Sequence, residues 1–158
     1  YGGSKLRGEE AIKGIHDSYY IVRISSVFGE SGVGGRRENF PFTIMKHGAE
    51  KDELRVVDDI VMSPTYSLDA AKMMWSILSE RKEFGVYHAN NEGHCSWYQF
   101  ACSIIRETGI STTVIPIGHE AFPTIAKRPM FSAMSSEFST CGRPWEEALC
   151  DFLERVQY

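Results

Sequence analysis

Residues 96–109 encode both ends of one helix, and few features of the sequence restrict its folding as much. Ser96 and Gln99 stand three apart, the spacing at which the serine hydroxyl accepts from the backbone N–H of the glutamine while the glutamine side chain reaches back to the serine N–H. Trp97, Phe100, Ala101, Ile104 and Ile105 then fall at i, i+3, i+4, i+7 and i+8, one apolar face, and Gly109 supplies the left-handed stop. Such a stripe has to be buried, so the remainder of the chain must provide a surface for it.

Strand-like and helix-like segments alternate around it. Residues 4–12 read as a helix with Leu6 and Ile12 on its apolar side and Gly14 near its end. Residues 19–24 are rich in aromatic and β-branched side chains, and their near-continuous apolarity suits a strand covered on both faces, as in a parallel sheet. Residues 29–35 read as a mobile glycine-rich loop. Asn39 can cap a helix carrying Phe40, Ile44 and Met45, with Pro41 tolerated in its first turn. Residues 54–57 read as a short strand. Ser67 opens a helix with Leu68, Ala71, Trp75 and Leu78 at helical spacing, followed by Gly85 and a strand at 86–89. Residues 114–117 read as an edge strand, because Pro116 cannot donate to a central ladder. The last helix starts near Pro144 and lines up Trp145, Leu149, Phe152, Leu153 and Val156. The expected class is α/β.

Composition limits what this chain can do. At 158 residues, with 42% hydrophobic and 24% charged content, it can bury one core but is short for two independent domains. Its 17 Lys+Arg against 21 Asp+Glu, a formal charge of −4 with no long basic run, argue against a general nucleic-acid binder, and the pair Arg36–Arg37 is too small to change that. No stretch nears the roughly 18 apolar residues of a membrane span, and the first residues hold no apolar signal core, so a cytoplasmic protein without a membrane partner is expected. Cys95, Cys102, Cys141 and Cys150 form no CxxC pair, and His94–Cys95 lacks a second cluster, so no metal site is expected.

Tyr1 and Lys5, four apart at the mouth of the first helix, project from one face. An ammonium beside a phenol stabilises the phenolate that remains after proton transfer, which suits donation to a carbonyl oxygen as hydride reaches its carbon. Taken alone, this spacing also occurs on ordinary solvated helix faces. The five histidines, His16, His47, His88, His94 and His119, have no nucleophile partner in the sequence and read as structural or exposed.

The opening YGGSKLRGE, residues 1–9, resembles the corresponding motif of extended short-chain dehydrogenases/reductases. Residues 22–29, 39–40, 57–66, 85–88, 96–101 and 128–132 resemble, in order, segments of one branch of that superfamily, the dTDP-4-dehydrorhamnose reductases. The resemblance implies a remnant of a Rossmann-type parallel sheet (residues 1–35 and 67–93) plus a small α/β substrate-binding lobe (36–66 and 94–158). It implies Tyr1 as general acid and Lys5 as holder of the nicotinamide ribose, with NADPH or NADH as hydride source and a dTDP-sugar as substrate. Ser25 and Ser26 fall where that branch approaches nicotinamide and sugar, and Ser26 stands where the branch carries a tryptophan. Asn39 and Phe40 become substrate contacts, although a helix cap accounts for Asn39 equally well. Asp59 belongs to a loop beside the nucleotide end of the substrate, shaped by Pro64 and Thr65. Arg128 suits a diphosphate through bidentate hydrogen bonds, or else bonds loop carbonyls.

A dinucleotide site needs a glycine-rich turn between a strand and a helix N-terminus, and Gly32–Gly35 follows no such strand–helix start. The expectation is therefore the carboxy-terminal half of a reductase, inactive alone, with an exposed sheet edge that allows a homo-oligomer. The alternatives are a non-catalytic regulatory subunit of the methionine adenosyltransferase type and another extended-family nucleotide-sugar epimerase or dehydratase.

Overall fold

Helix α4 forms as its sequence dictates, and the fold is conveniently built outward from it. In the computed structural model, which describes residues 1–31, 39–123, 125, 128–134 and 142–156, α4 spans Trp97–Thr108 with both bonds of the capping box present and Gly109 at φ 66° behind it. Phe100, Ala101 and Ile104 are its buried stripe. The other helices are α1 (Gly2–Ile15), α2 (Phe40–Glu50), α3 (Ser67–Ser79) and α5 (Trp145–Val156). The strands are β1 (Tyr20–Arg23), β2 (Val27–Phe28), β3 (Glu53–Val57), β4 (Val61–Met62), β5 (Thr65–Tyr66), β6 (Gly85–His88), β7 (Cys95–Ser96), β8 (Thr113–Ile117) and β9 (Phe131–Ser132).

Strand pairing is mostly parallel and joins segments far apart in the sequence. β1 pairs with β6, β2 with β5 and β3 with β8, all parallel, while β4 lies between β7, antiparallel to it, and β9, parallel to it. Parallel pairs need crossovers; α3 lies between β5 and β6, and α4 lies between β3 and β8 in sequence. Pro116 sits in β8, which has a single neighbour, as its missing donor requires.

The core gathers where α2, α4 and α5 meet β3, β5 and β7. Phe28 stacks on Tyr66 at 5.6 Å and meets Phe100 at 5.5 Å and Phe152 edge-on at 5.4 Å. α5 buries Trp145, Leu149, Phe152, Leu153 and Val156, the five residues its sequence lines up. Gly29 is needed for close approach, because a Cβ there would lie 2.1 Å from Ser67 Oγ.

Three expectations change. The first helix is longer than residues 4–12 and runs through Gly14, yet it buries no residue. β1 is not covered on both faces: Ile21 alone is buried, because no second apolar layer lies over the β1–β6 pair among the described residues. On α3 the expected face is mostly the outer one, with Ala71 exposed and Trp75 and Leu78 70% and 54% exposed, although Leu68 packs against the core, and the buried face carries Asp69, Ala70, Met73 and Ile77. Both faces of α3 are apolar, so spacing alone could not say which one packs. Of the glycine-rich loop, residues 32–38, including Arg36 and Arg37, lie outside the described residues, as does Cys141. The strand expected at 86–89 is β6, one residue earlier.

Candidate active site

Tyr1 is the N-cap of α1, and its carbonyl accepts from Ser4 N–H at 3.0 Å, Lys5 N–H at 3.2 Å and Ser4 Oγ at 2.7 Å. The helical turn thus formed brings Lys5 Nζ to 5.4 Å from the centre of the Tyr1 ring, a cation–π arrangement. The phenol is 89% exposed, so it is free to meet a partner. The Arg23 guanidinium ties α1 to the sheet, gripping Glu9 at 2.9 and 2.6 Å, and this bond holds the Glu9 carboxyl below its ordinary range.

Ser25 and Ser26 leave the carboxyl end of β1, the end at which parallel sheets bind ligands. Ser25 is buried, its hydroxyl donating to Ser132 O at 3.2 Å. Ser26 has φ 41°, a left-handed conformation that is uncommon for serine, and its carbonyl accepts from Thr65 N–H at 3.2 Å. The turn is thereby fastened to β5 and β9.

The remaining candidates divide by exposure. Asn39 caps α2 by accepting from Phe42 N–H at 3.4 Å while its amide donates to Gly29 O at 2.6 Å, so the chain itself occupies this side chain. Phe40 packs on Trp97 at 4.6 Å and Phe100 at 5.6 Å. Pro64 and Thr65 are fully buried, and the Thr65 hydroxyl donates to Ser63 O at 3.2 Å; they shape the loop from within. Asp59 is half exposed and bonded to His119, whose side-chain and backbone donors hold its carboxyl below the usual range. Arg128 is exposed, and among the described residues nothing pairs with its guanidinium.

Sequence reasoning missed two polar constellations. The His119–Asp59 pair joins residues 60 apart, and no spacing rule signals it. Arg143 lies between Asp69, at 2.9 Å, and Asp151, at 2.5 Å, while Asn91 donates to Asp69 at 2.9 Å and accepts from Tyr66 N–H at 2.8 Å. A shallow cavity of about 280 Å³ opens beside Asp69, Lys72 and Arg143. Tyr66 donates its hydroxyl to Glu30, and burial first, then this carboxylate, drives its pKa up.

Short parallel strand pairs with helices between them give a mixed α/β chain whose fold is like that of Rossmann-like reductases and nucleotide-sugar epimerases. The chain belongs to the RmlD substrate binding domain family, whose model matches residues 1–158. It is 37% identical to the spore coat polysaccharide biosynthesis protein SpsK of Bacillus subtilis, over 98% of this chain and 53% of that protein. A dTDP-4-dehydrorhamnose reductase from Clostridium acetobutylicum superposes with a TM-score of 0.91 at 37% identity, covering 100% of this chain and 56% of that one. The Bacillus anthracis dTDP-4-dehydrorhamnose reductase, solved in complex with NADP, gives 0.88 at 34% identity, covering 99% and 55%. The chain spans about half the length of the relatives it matches.

Proposed function

We propose that this chain is the substrate-binding part of a dTDP-4-dehydrorhamnose reductase, which converts dTDP-4-dehydro-6-deoxy-L-mannose to dTDP-L-rhamnose with NADPH or NADH. The observation that carries this reading is the likeness to named reductases along the whole chain, at 37% identity and a TM-score of 0.91. Tyr1 and Lys5 supply the chemistry the reaction needs.

An exposed phenol with an ammonium one turn away suits a nicotinamide ribose and a nearby carbonyl. Among the described residues, however, no short glycine turn joins a strand directly to a helix N-terminus as a cradle for the pyrophosphate, and of the segment between β2 and α2 residues 32–38 lie outside them. The described residues therefore fit only the ribose end of the cofactor. When bound, the reduced nicotinamide supplies hydride to the C4 carbonyl carbon. Tyr1 gives its phenolic proton to the carbonyl oxygen, and the Lys5 ammonium stabilises the phenolate left behind until solvent returns a proton.

Cofactor oxidation by a protein carrying this chain together with a dinucleotide-binding part tests the proposal. Turnover with dTDP-4-dehydro-6-deoxy-L-mannose is expected. Turnover with other nucleotide ketosugars but not with this one would overturn it.

A further inference from the structure

Tyr1, Lys5 and Glu9 follow one another at intervals of four, so they share one face of α1. The chemistry proposed for Tyr1 needs the Lys5 ammonium uncompensated, because a cation already paired with a carboxylate does little for a phenolate. Glu9 is the carboxylate that spacing puts in reach of Lys5, at the i, i+4 separation where helical ion pairs form. The structure does not form that pair. Both Glu9 oxygens go to Arg23 instead, Oε1 accepting from Nε at 2.9 Å and Oε2 from Nη2 at 2.6 Å, the bidentate fork that a guanidinium favours. Among the described residues no carboxylate pairs with the Lys5 ammonium, which lies over the Tyr1 ring at 5.4 Å.

Arg23 is rooted where it can hold this grip. It is the last residue of β1, opposite His88 in the ladder, and its carbonyl accepts from Ala89 N–H at 2.9 Å. The backbone beneath the guanidinium is thus fixed to β6, just before the Ser25–Ser26 turn. Of the two side chains the carboxylate is the more covered, at 17% exposed against 42% for Arg23.

Glu9 is a charge that has to be held somewhere. The hydrogen bond from Arg23 is the chief reason its carboxyl lies below the ordinary range; burial opposes this, and Lys13 and His88 add to it. Glu9 is therefore ionised near neutral pH and draws a cation. Deprived of Arg23, it has a lysine one turn away in each direction, Lys5 towards the helix start and Lys13 towards its end.

We propose that Arg23 is a positioning residue of this site: by taking both oxygens of Glu9 it keeps that carboxylate off Lys5, so the ammonium stays available to the Tyr1 phenol and the cofactor ribose. This rests on the reading of Tyr1 and Lys5 as the proton-transfer pair. Two measurements test it. In the 158-residue chain, competitive acetylation of Lys5 at one fixed pH, read by mass spectrometry, should be about twofold slower in Arg23→Met, the size of a helical i, i+4 ion pair. In the protein that joins this chain to a dinucleotide-binding part, Arg23→Met should lower kcat about tenfold with the affinity for the sugar nucleotide retained, since the stray carboxylate acts at closer quarters in a covered site. Adding Lys13→Gln, which removes the competing lysine, should deepen both losses. Arg23→Lys, which keeps a cation for Glu9, should restore most of the rate. Glu9→Gln alone, and Arg23→Met with Glu9→Gln, should match the unchanged protein within about twofold in both measurements, because neither leaves a carboxylate to reach Lys5. A bond that merely fastens α1 to the sheet predicts the opposite pattern, with Arg23→Met, Glu9→Gln and the double variant equally impaired. That pattern, or Arg23→Met without effect on Lys5 acetylation, overturns the proposal and leaves the reductase reading standing. No turnover by the unchanged joined protein defeats the reading and the proposal together.

Discussion

Tyr1 and Lys5 owe their mutual position to a single helical turn, so a change of one hydroxyl separates chemistry from binding. Tyr1→Phe, made in a protein that joins this chain to a dinucleotide-binding part, keeps the ring under Lys5 Nζ and removes the proton. Turnover should fall about 10²- to 10⁴-fold with substrate affinity retained, as read from kcat against the calorimetric Kd. Ser96 makes a different test. Its hydroxyl accepts from Gln99 N–H at 3.0 Å and donates to Asp58 at 2.6 Å. Ser96→Ala should therefore cost about 1–2 kcal/mol in urea unfolding of the chain. The cap was legible because its partners lie three residues apart. Asn39 was half legible, since its capping bond is local, whereas its bond to Gly29 depends on how the intervening loop folds. The His119–Asp59 pair was illegible, because only the β3–β8 ladder brings those residues together.

Between elements, the acid–base chain from Asp69 on α3 through Arg143 to Asp151 and Arg155 on α5 does what apolar packing leaves undone at that edge. Replacing Arg143 by Met leaves the Asp69 carboxylate nearly enclosed without its main counter-charge. A loss of about 2 kcal/mol in unfolding free energy is expected, the side chain of Arg143 being itself partly solvated. The guanidiniums of Arg143 and Arg155 hold the Asp151 carboxyl below its ordinary range. A folded-state pKa below the unfolded one gives stability that is present above the unfolded value and lost as pH falls through the folded one. Thermal midpoints should therefore fall as the pH drops below about 4, and Asp151→Asn should flatten that decline. The contrast between α3 and α4 shows where elements were readable. α4 has one apolar stripe, so its spacing named the buried face, while α3 has Ala70, Met73 and Ile77 on one side and Trp75 and Leu78 on the other. The two-residue strands β2, β4, β5, β7 and β9 carry no periodicity to detect, since alternation needs more residues than they have.

For the whole molecule, the distribution of packing matters more than its amount. α4 and α5 are built into the core, while α1, which carries Tyr1 and Lys5, buries nothing and is tied to the sheet through Glu9 and Arg23. Amide exchange in α1 should accordingly be at least about tenfold faster than in α4, as hydrogen-exchange mass spectrometry can measure. Titrating the chain with NADPH should give no micromolar binding, because in the proposed reading Lys5 offers one ribose contact and no pyrophosphate cradle is present among the described residues. Micromolar affinity would show that residues 32–38 or another segment do hold the cofactor. The exposure of α3 also equips the molecule with its own optical reporter. Of the three tryptophans, Trp75 is 70% exposed, Trp97 is partly buried against Phe40 and Trp145 is 5% exposed, so Trp75 is the indole most open to collisional quenchers while Trp145 is shielded by the core. With Trp97 replaced by Phe, selective quenching with iodide would then read the outer face of α3 separately from the interior, and any molecule that settled on that face would shift the red edge of the emission without an added label.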